Sequence, residues 1–248
     1  MTSTQTPGSA YPAQVAGALP VASHQLADRL AEAACYAVLR RIAPVLRHDV
    51  AGLMQPVGML MMVLQRRVQT PEPDLQAIAK NVASASALAK EATTGCMNVM
   101  SWIAAREDAT VGLYSSVNEA GKLMAMEFSA HALEISNIIS SDAAVIPQSF
   151  CRTVLVGALL AFCDQRTAGT VLQISLEAEA GSDSSADRLM LRMLPGDVTE
   201  VPGLTGSPAM GLPSRRIDWS DVEAMAGAFG VALERGDGYL AVGLPETS

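Results

Sequence analysis

Apolar side chains recur at three- and four-residue spacing over two long stretches of this 248-residue chain. The first includes Leu26, Leu30, Ala33, Ala34, Ala37, Val38 and Val45, then Leu46, Val50, Leu53, Val57, Leu60 and Leu64; Arg41 also falls in step with it. The second includes Leu75, Ile78, Val82, Ala85, Leu88, Ala89, Ala92, Cys96, Val99 and Ile103. That period is the mark of an amphipathic helix. Thr70-Pro71-Glu72-Pro73 separates the stretches as a turn, so together they predict an antiparallel helical hairpin. Ser23 is the expected N-cap of the first helix, and Asp74 opens the second. Pro44 predicts a kink or break near residues 40–43, and Pro56 a second bend. A two-helix hairpin buries only one face of each helix. Pairing with a second hairpin into a four-helix bundle covers the other, so a homodimer is expected.

Composition suits this reading. Hydrophobic residues make up 50% of the chain and charged ones 17%, which is ample for a core. Aromatics are only 4%, which favours helices packed through small and flexible side chains. Met54, Met59, Met61 and Met62 read as mostly core, with room for part of the run to be exposed docking surface. The net charge of −8, with no run of Lys or Arg longer than two, excludes a nucleic-acid footprint. Cys35, Cys96, Cys151 and Cys163 lack CxxC spacing, so neither structural zinc nor a disulfide framework is expected. No apolar run reaches membrane-spanning length and no signal peptide is legible, so a cytoplasmic protein is expected. Residues 1–22, rich in Thr, Ser, Pro, Gly and Ala, read as a disordered tail.

Past Val111 the pattern changes. Ser116-Val117-Asn118-Glu119 reads as a capping box, with a helix to about His131. Leu133–Ile139 reads as a strand, Pro147–Cys163 as a helix, Thr170–Ala178 and Leu189–Leu194 as paired strands. Residues 196–214 read as a Gly- and Pro-rich loop. Asp218 or Ser220 caps a helix to about Phe229, and Val231–Glu234 with Tyr239–Leu244 form a closing hairpin. The expected fold class is α+β: a long helical hairpin over residues 23–108, then an α/β sandwich over 112–248 with helices on one face of a mixed sheet.

The candidate site is Leu46-Arg47-His48-Asp49-Val50, with Gly52, Leu53, Gln55 and Pro56 following. His48 is one of three histidines, midway along the first helix, with a carboxylate beside it. His131, near a helix end, reads as a dipole partner or surface residue, and Arg215 and Arg216 as surface charges that could hold a phosphate. A His-Asp pair followed within two turns by Pro, on a helical hairpin ahead of a sandwich of this order, resembles the core of two-component histidine kinases. The ending Gly238-Tyr-Leu-Ala-Val-Gly-Leu-Pro245 resembles that family's closing strand. The resemblance spans about Leu26 to Pro245. It implies a dimerisation and histidine-phosphotransfer hairpin, a phosphoacceptor at His48, and an ATP-binding domain behind it.

The sequence departs from that pattern at the nucleotide. Gly157 and Ala161 stand where the family carries asparagines that hold magnesium and nucleotide. Neither offers an oxygen donor. Met193–Gly203 keeps neither the spacing nor the second glycine of an Asp-x-Gly-x-Gly box, although Asp197 is present. The phosphate loop is reduced to Met210-Gly-Leu-Pro213, where Pro213 lacks an N–H. ATP binding is therefore not expected, nor is any cofactor or metal of the chain's own. Closest in character are kinase-derived histidine phosphotransferases. That resemblance implies that receiver domains of response regulators are the partners and bring the Mg²⁺. His48 would carry the phosphoryl group, Asp49 would orient its imidazole, and Arg47, Gly52 and Gln55 would meet the receiver. Two other readings stay open: a non-catalytic scaffold of kinase ancestry that binds a response regulator or kinase, and a histidine kinase with an atypical ATP site.

Overall fold

The computed structural model describes residues 19–104, 108–131, 133–140, 144–165, 170–178, 187–195 and 215–245. Expectations for the tail through residue 18 and the loop at 196–214, including Asp197 and Met210–Pro213, lie outside the described residues. The fold is α+β, with the long hairpin first and the α/β sandwich after it.

Helix α1 (Leu19–Val68) runs unbroken through Pro44 and Pro56. The expected break does not form. An internal proline costs about 3 kcal/mol, and packing on both sides of Pro44 offsets it, because Ile42 and Leu46 are buried. Ser23, the expected N-cap, lies inside the helix, which already includes Leu19. Helix α2 (Leu75–Ile103) starts where expected, with the Asp74 side chain accepting from Ala77 N at 3.0 Å. Leu64, Ala85 and Ala92 are buried along the hairpin seam. The helices come together at Gly95, where an added Cβ would overlap Leu53, with Leu53 Cδ2 at 3.2 Å. Gly52 and Gly58 have no neighbouring atom within 4 Å of that position, so close approach within the chain falls at Gly95 instead. The four methionines expected in the core are all at least half exposed.

A short antiparallel pair, β1 (Thr110–Gly112) with β3 (Val145–Pro147), opens the second half. Between them lie α3 (Leu113–Leu123), α4 (Ala125–Ala130) and β2 (Leu133–Asn137). The capping box at Ser116 does not form. Gly112 is the N-cap of α3, and Ser116 Oγ donates to Gly112 O at 3.0 Å from inside the helix. Leu113 and Val117 are fully buried, and packing them draws the helix start back by one turn. The helical run of α5 (Gln148–Phe150), a π turn (Cys151–Leu155) and α6 (Val156–Gln165) then crosses to β4 (Thr170–Ala178). Strand β5 (Asp187–Pro195), helix α7 (Trp219–Ala228) and strands β6 (Leu233–Gly236) and β7 (Tyr239–Gly243) complete the fold. The five-stranded sheet has the order β2-β4-β5-β7-β6, with β2 and β4 parallel and the rest antiparallel. Alternate residues Leu172 and Ile174, Leu189 and Leu191, Leu240 and Val242 face the helices and are buried. Asp218 caps α7 in a reciprocal capping box with Asp221.

The apolar core does not stop at the second half. Ala34, Val38, Ile42 and Leu46 of α1 belong to it, packed with α6 and α7. At this seam Arg41 Nε donates to Glu127 Oε1 of α4 at 2.6 Å, and its other nitrogens donate to Asp164 of α6 at 3.1 and 3.3 Å. Asp164 Oδ2 also accepts from Ile217 N at 3.0 Å, tying in the segment before α7. Burial alone would lower the Arg41 pKa, but the two carboxylates outweigh it and hold the guanidinium charged. Replacing Arg41 by Ala strands two carboxylates at this seam. Chemical denaturation is expected to show a loss of about 3 kcal/mol, whereas Arg215→Ala, at the more exposed pair with Asp221, is expected to cost under about 1 kcal/mol.

Candidate functional site

His48 sits between two anchored turns of α1. Leu46 is buried before it, and Leu53 packs on Gly95 after it. With those faces turned inward, the His48 side chain points outward and is 76% exposed. Asp49 is half exposed, and its Oδ1 lies 3.5 Å from His48 Nδ1. Adjacent helix residues diverge by about 100°, so this is an oblique electrostatic approach and not a closed hydrogen bond. It places Nδ1 at the carboxylate and leaves Nε2 toward solvent. Arg47, Gly52 and Gln55 are exposed as well. Gly52 and Gln55 follow His48 at i+4 and i+7 and share its face, and nothing stands within 4 Å of a Cβ at Gly52. Pro56 has no N–H, so the Gly52 carbonyl lacks its intrahelical donor. The result is a bare strip of helix on which an imidazole stands proud. It can offer a nucleophilic nitrogen to a macromolecule that docks there. It has no enclosing walls for a small substrate.

The second region singled out by sequence is closed. Gly157 is buried, and a Cβ there would overlap Met225 Cε of α7 and lie 3.5 Å from Val38 Cγ2 of α1. Ala161 is fully buried, as are Met225 and, to within a percent, Val38. The side chains of Met225 and Val38 occupy the space beside Gly157. An open groove of about 430 Å³, lined by Ser86, Ala89, Lys90, Thr93 and Thr94, lies on α2 and involves neither His48 nor Gly157. Cysteine chemistry has no support either: burial is the main cause that pushes the Cys151 thiol up to about 11. Arg215 pairs with Asp221 at 2.5 Å, and His131 is the C-cap residue of α4. Among the described residues no helix is long and apolar enough to cross a membrane.

Two residues that tie the halves together were not legible as such. Arg41 falls in step with the apolar residues of α1, and a charge on such a stripe is a signal for a buried ion partner. Arg152, in the π turn, gave no signal. Its side chain is 4% exposed and stacks over Trp102, with Cζ 4.7 Å from the ring centroid. It donates to Ser101 O in the last turn of α2, where carbonyls lack helical donors, and approaches Glu119 at 3.7 Å.

No protein-family model and no curated protein matches the chain. Solved structures that are similar in fold include the Acinetobacter baumannii histidine kinase AdeS, at 16% identity and a TM-score of 0.40, covering 76% of this chain and 96% of that one. A histidine kinase from Burkholderia phymatum is similar at 15% identity and a TM-score of 0.39, covering 83% and 98%. A bacterial phosphotransferase is similar at 14% identity and a TM-score of 0.32, covering 84% and 95%. In this chain a long helical hairpin is followed by an α/β sandwich. An asparagine placed at Gly157 is expected to overpack this seam. Thermal or chemical denaturation of Gly157→Asn should show a loss of about 1–3 kcal/mol, and calorimetry with Mg-ATP should show no gain of binding.

Proposed function

We propose that the protein relays phosphoryl groups between receiver-domain aspartates through His48, without binding ATP. The observation that supports this most is a contrast. His48 stands exposed on the hairpin, while the space beside Gly157 is filled by Val38 and Met225 of the same chain. In the reaction, the neutral His48 Nε2 attacks the phosphorus of an aspartyl phosphate on the partner. A P–N bond forms, the P–O bond to the carboxyl breaks, and the aspartate leaves as a carboxylate. Asp49, beside Nδ1, stabilises the positive charge that the ring then carries. Reversal hands the group to a second receiver. Such a transfer depends on positioning and on charge supplied at the phosphoryl oxygens, which the receiver brings with its Mg²⁺. Arg47 would steer an acidic receiver pocket, and Gly52 and Gln55 would lie under the docked domain.

The hairpin also supports a homodimer. On α1, Met54, Met61 and Val68 are exposed at seven-residue spacing, and on α2 so are Leu75, Val82 and Ala89, with Ile103 in the same register. Two such stripes on one hairpin fit a four-helix bundle with a second copy.

Mixing the protein with a phosphorylated receiver should move label onto it within seconds to minutes. His48→Ala should reduce that by a thousandfold or more while leaving receiver binding within about threefold. Binding without transfer in the wild type would instead support the scaffold reading. Gly52→Arg should weaken receiver binding at least tenfold with an unchanged melting temperature. Sedimentation should give twice the chain mass of 25.9 kDa, and a Met61→Glu, Val82→Glu double variant should give one chain mass.

A further inference from the structure

The two halves are joined more firmly than phosphoryl transfer through an exposed histidine requires. Interfaces between domains of one chain are usually polar and permit relative motion unless they are large and apolar. Here Ala34, Val38, Ile42 and Leu46 of α1 are buried in the same core as the sheet and its helices. Arg41 ties α1 to both α4 and α6, and Asp164 extends that tie to the backbone of Ile217. Arg152 ties the π turn separately to the last turn of α2, through Ser101 O and the Trp102 ring.

We infer that the α/β domain is clamped to the hairpin in one fixed arrangement, with α1 itself as the plug of the space beside Gly157. The anchors fall on different helices. A rotation of the domain about α1 breaks the Arg152 contacts, and a rotation about α2 strips Arg41 from its carboxylates. Either exposes Val38, Ile42, Leu46 and Met225 to water. A histidine loaded from a nucleotide on its own chain needs that domain to travel to it and withdraw. A histidine loaded by another protein does not. The buried seam on α1 ends at Leu46, just short of His48, so the clamp holds the domain at a constant distance from the phosphoacceptor. The transfer part of this inference rests on the proposed relay; the fixed geometry does not.

Residual dipolar couplings of backbone amides in the unmodified, deuterated full chain test the geometry directly. One alignment tensor is expected to fit α1, α2 and the sheet together, with and without receiver. Two tensors of different magnitude would overturn the clamp, whatever the chemistry of His48. A Val38→Cys, Gly157→Cys pair in a Met225→Ala background, which removes the side chain that a Cβ at 157 would overlap, tests its consequence, because that Cβ lies 3.5 Å from Val38 Cγ2. The disulfide is expected to form on oxidation, and the oxidised protein to accept phosphoryl from a phosphorylated receiver within twofold of the reduced rate. A tenfold or larger loss on oxidation, reversed by reductant, would show that the domain must move and overturn the inference. A single tensor with no transfer in either redox state leaves the clamp standing and removes the relay.

Discussion

A guanidinium on the apolar stripe of a helix must find carboxylates or leave the core. Arg41 finds Glu127 and Asp164, and much of the architecture follows from that arrangement. The carboxylates come from two helices of the second half, and Asp164 also takes the N–H of Ile217 before α7. One side chain thus fixes α1, α4, α6 and the approach to α7 relative to one another. The apolar residues on either side of it, Val38 and Ile42, can then enter the core, with Val38 beside Gly157, without leaving charge stranded. A buried ion cluster of this kind adds modest net stability, because desolvation opposes the attraction. Its larger effect is on specificity, since only one docking of the helix satisfies all three charges.

This packing sets apart two regions of contrasting exposure, the turn at His48 and the seam at Gly157. The strip around His48 is exposed, and the space beside Gly157 is filled by Met225 and Val38. An exposed imidazole costs the fold nothing and leaves reactivity to the docking partner. Small residues at 157 and 161 let α6 pack closely, with Val38 of α1 and Met225 of α7 against Gly157.

Much of the fold was legible because period and turn chemistry agreed. The hairpin, the Asp74 cap, the strand Thr170–Ala178 and the cap at Asp218 follow from local pattern. Where local and tertiary preferences conflict, packing decides. Pro44 lies inside an unbroken helix because Ile42 and Leu46 are buried around it, and Ser116 loses its capping role because Leu113 must be inside. The pairing of β1 with β3 was missed because each strand has three residues, too few for a period. The methionines illustrate a different limit. Helical spacing identifies an apolar face but not whether the same chain or a second copy covers it. At the site, the exposure of His48 and the packing of Gly157 could be framed as questions from the sequence. Only coordinates could place Val38 and Met225 against that glycine, because the three residues are far apart in the chain. The clamp at Arg152 depends on a π turn that composition does not reveal.

Mapping the phosphorylated residue by mass spectrometry most directly tests how His48 is loaded. The protein would be incubated in parallel with a phosphorylated receiver and with Mg-ATP alone. Phosphate on the peptide that carries His48 after incubation with the receiver, and none after ATP, is the expected result. Phosphate on that peptide from ATP alone, or transfer from the receiver to a different residue, would contradict the account.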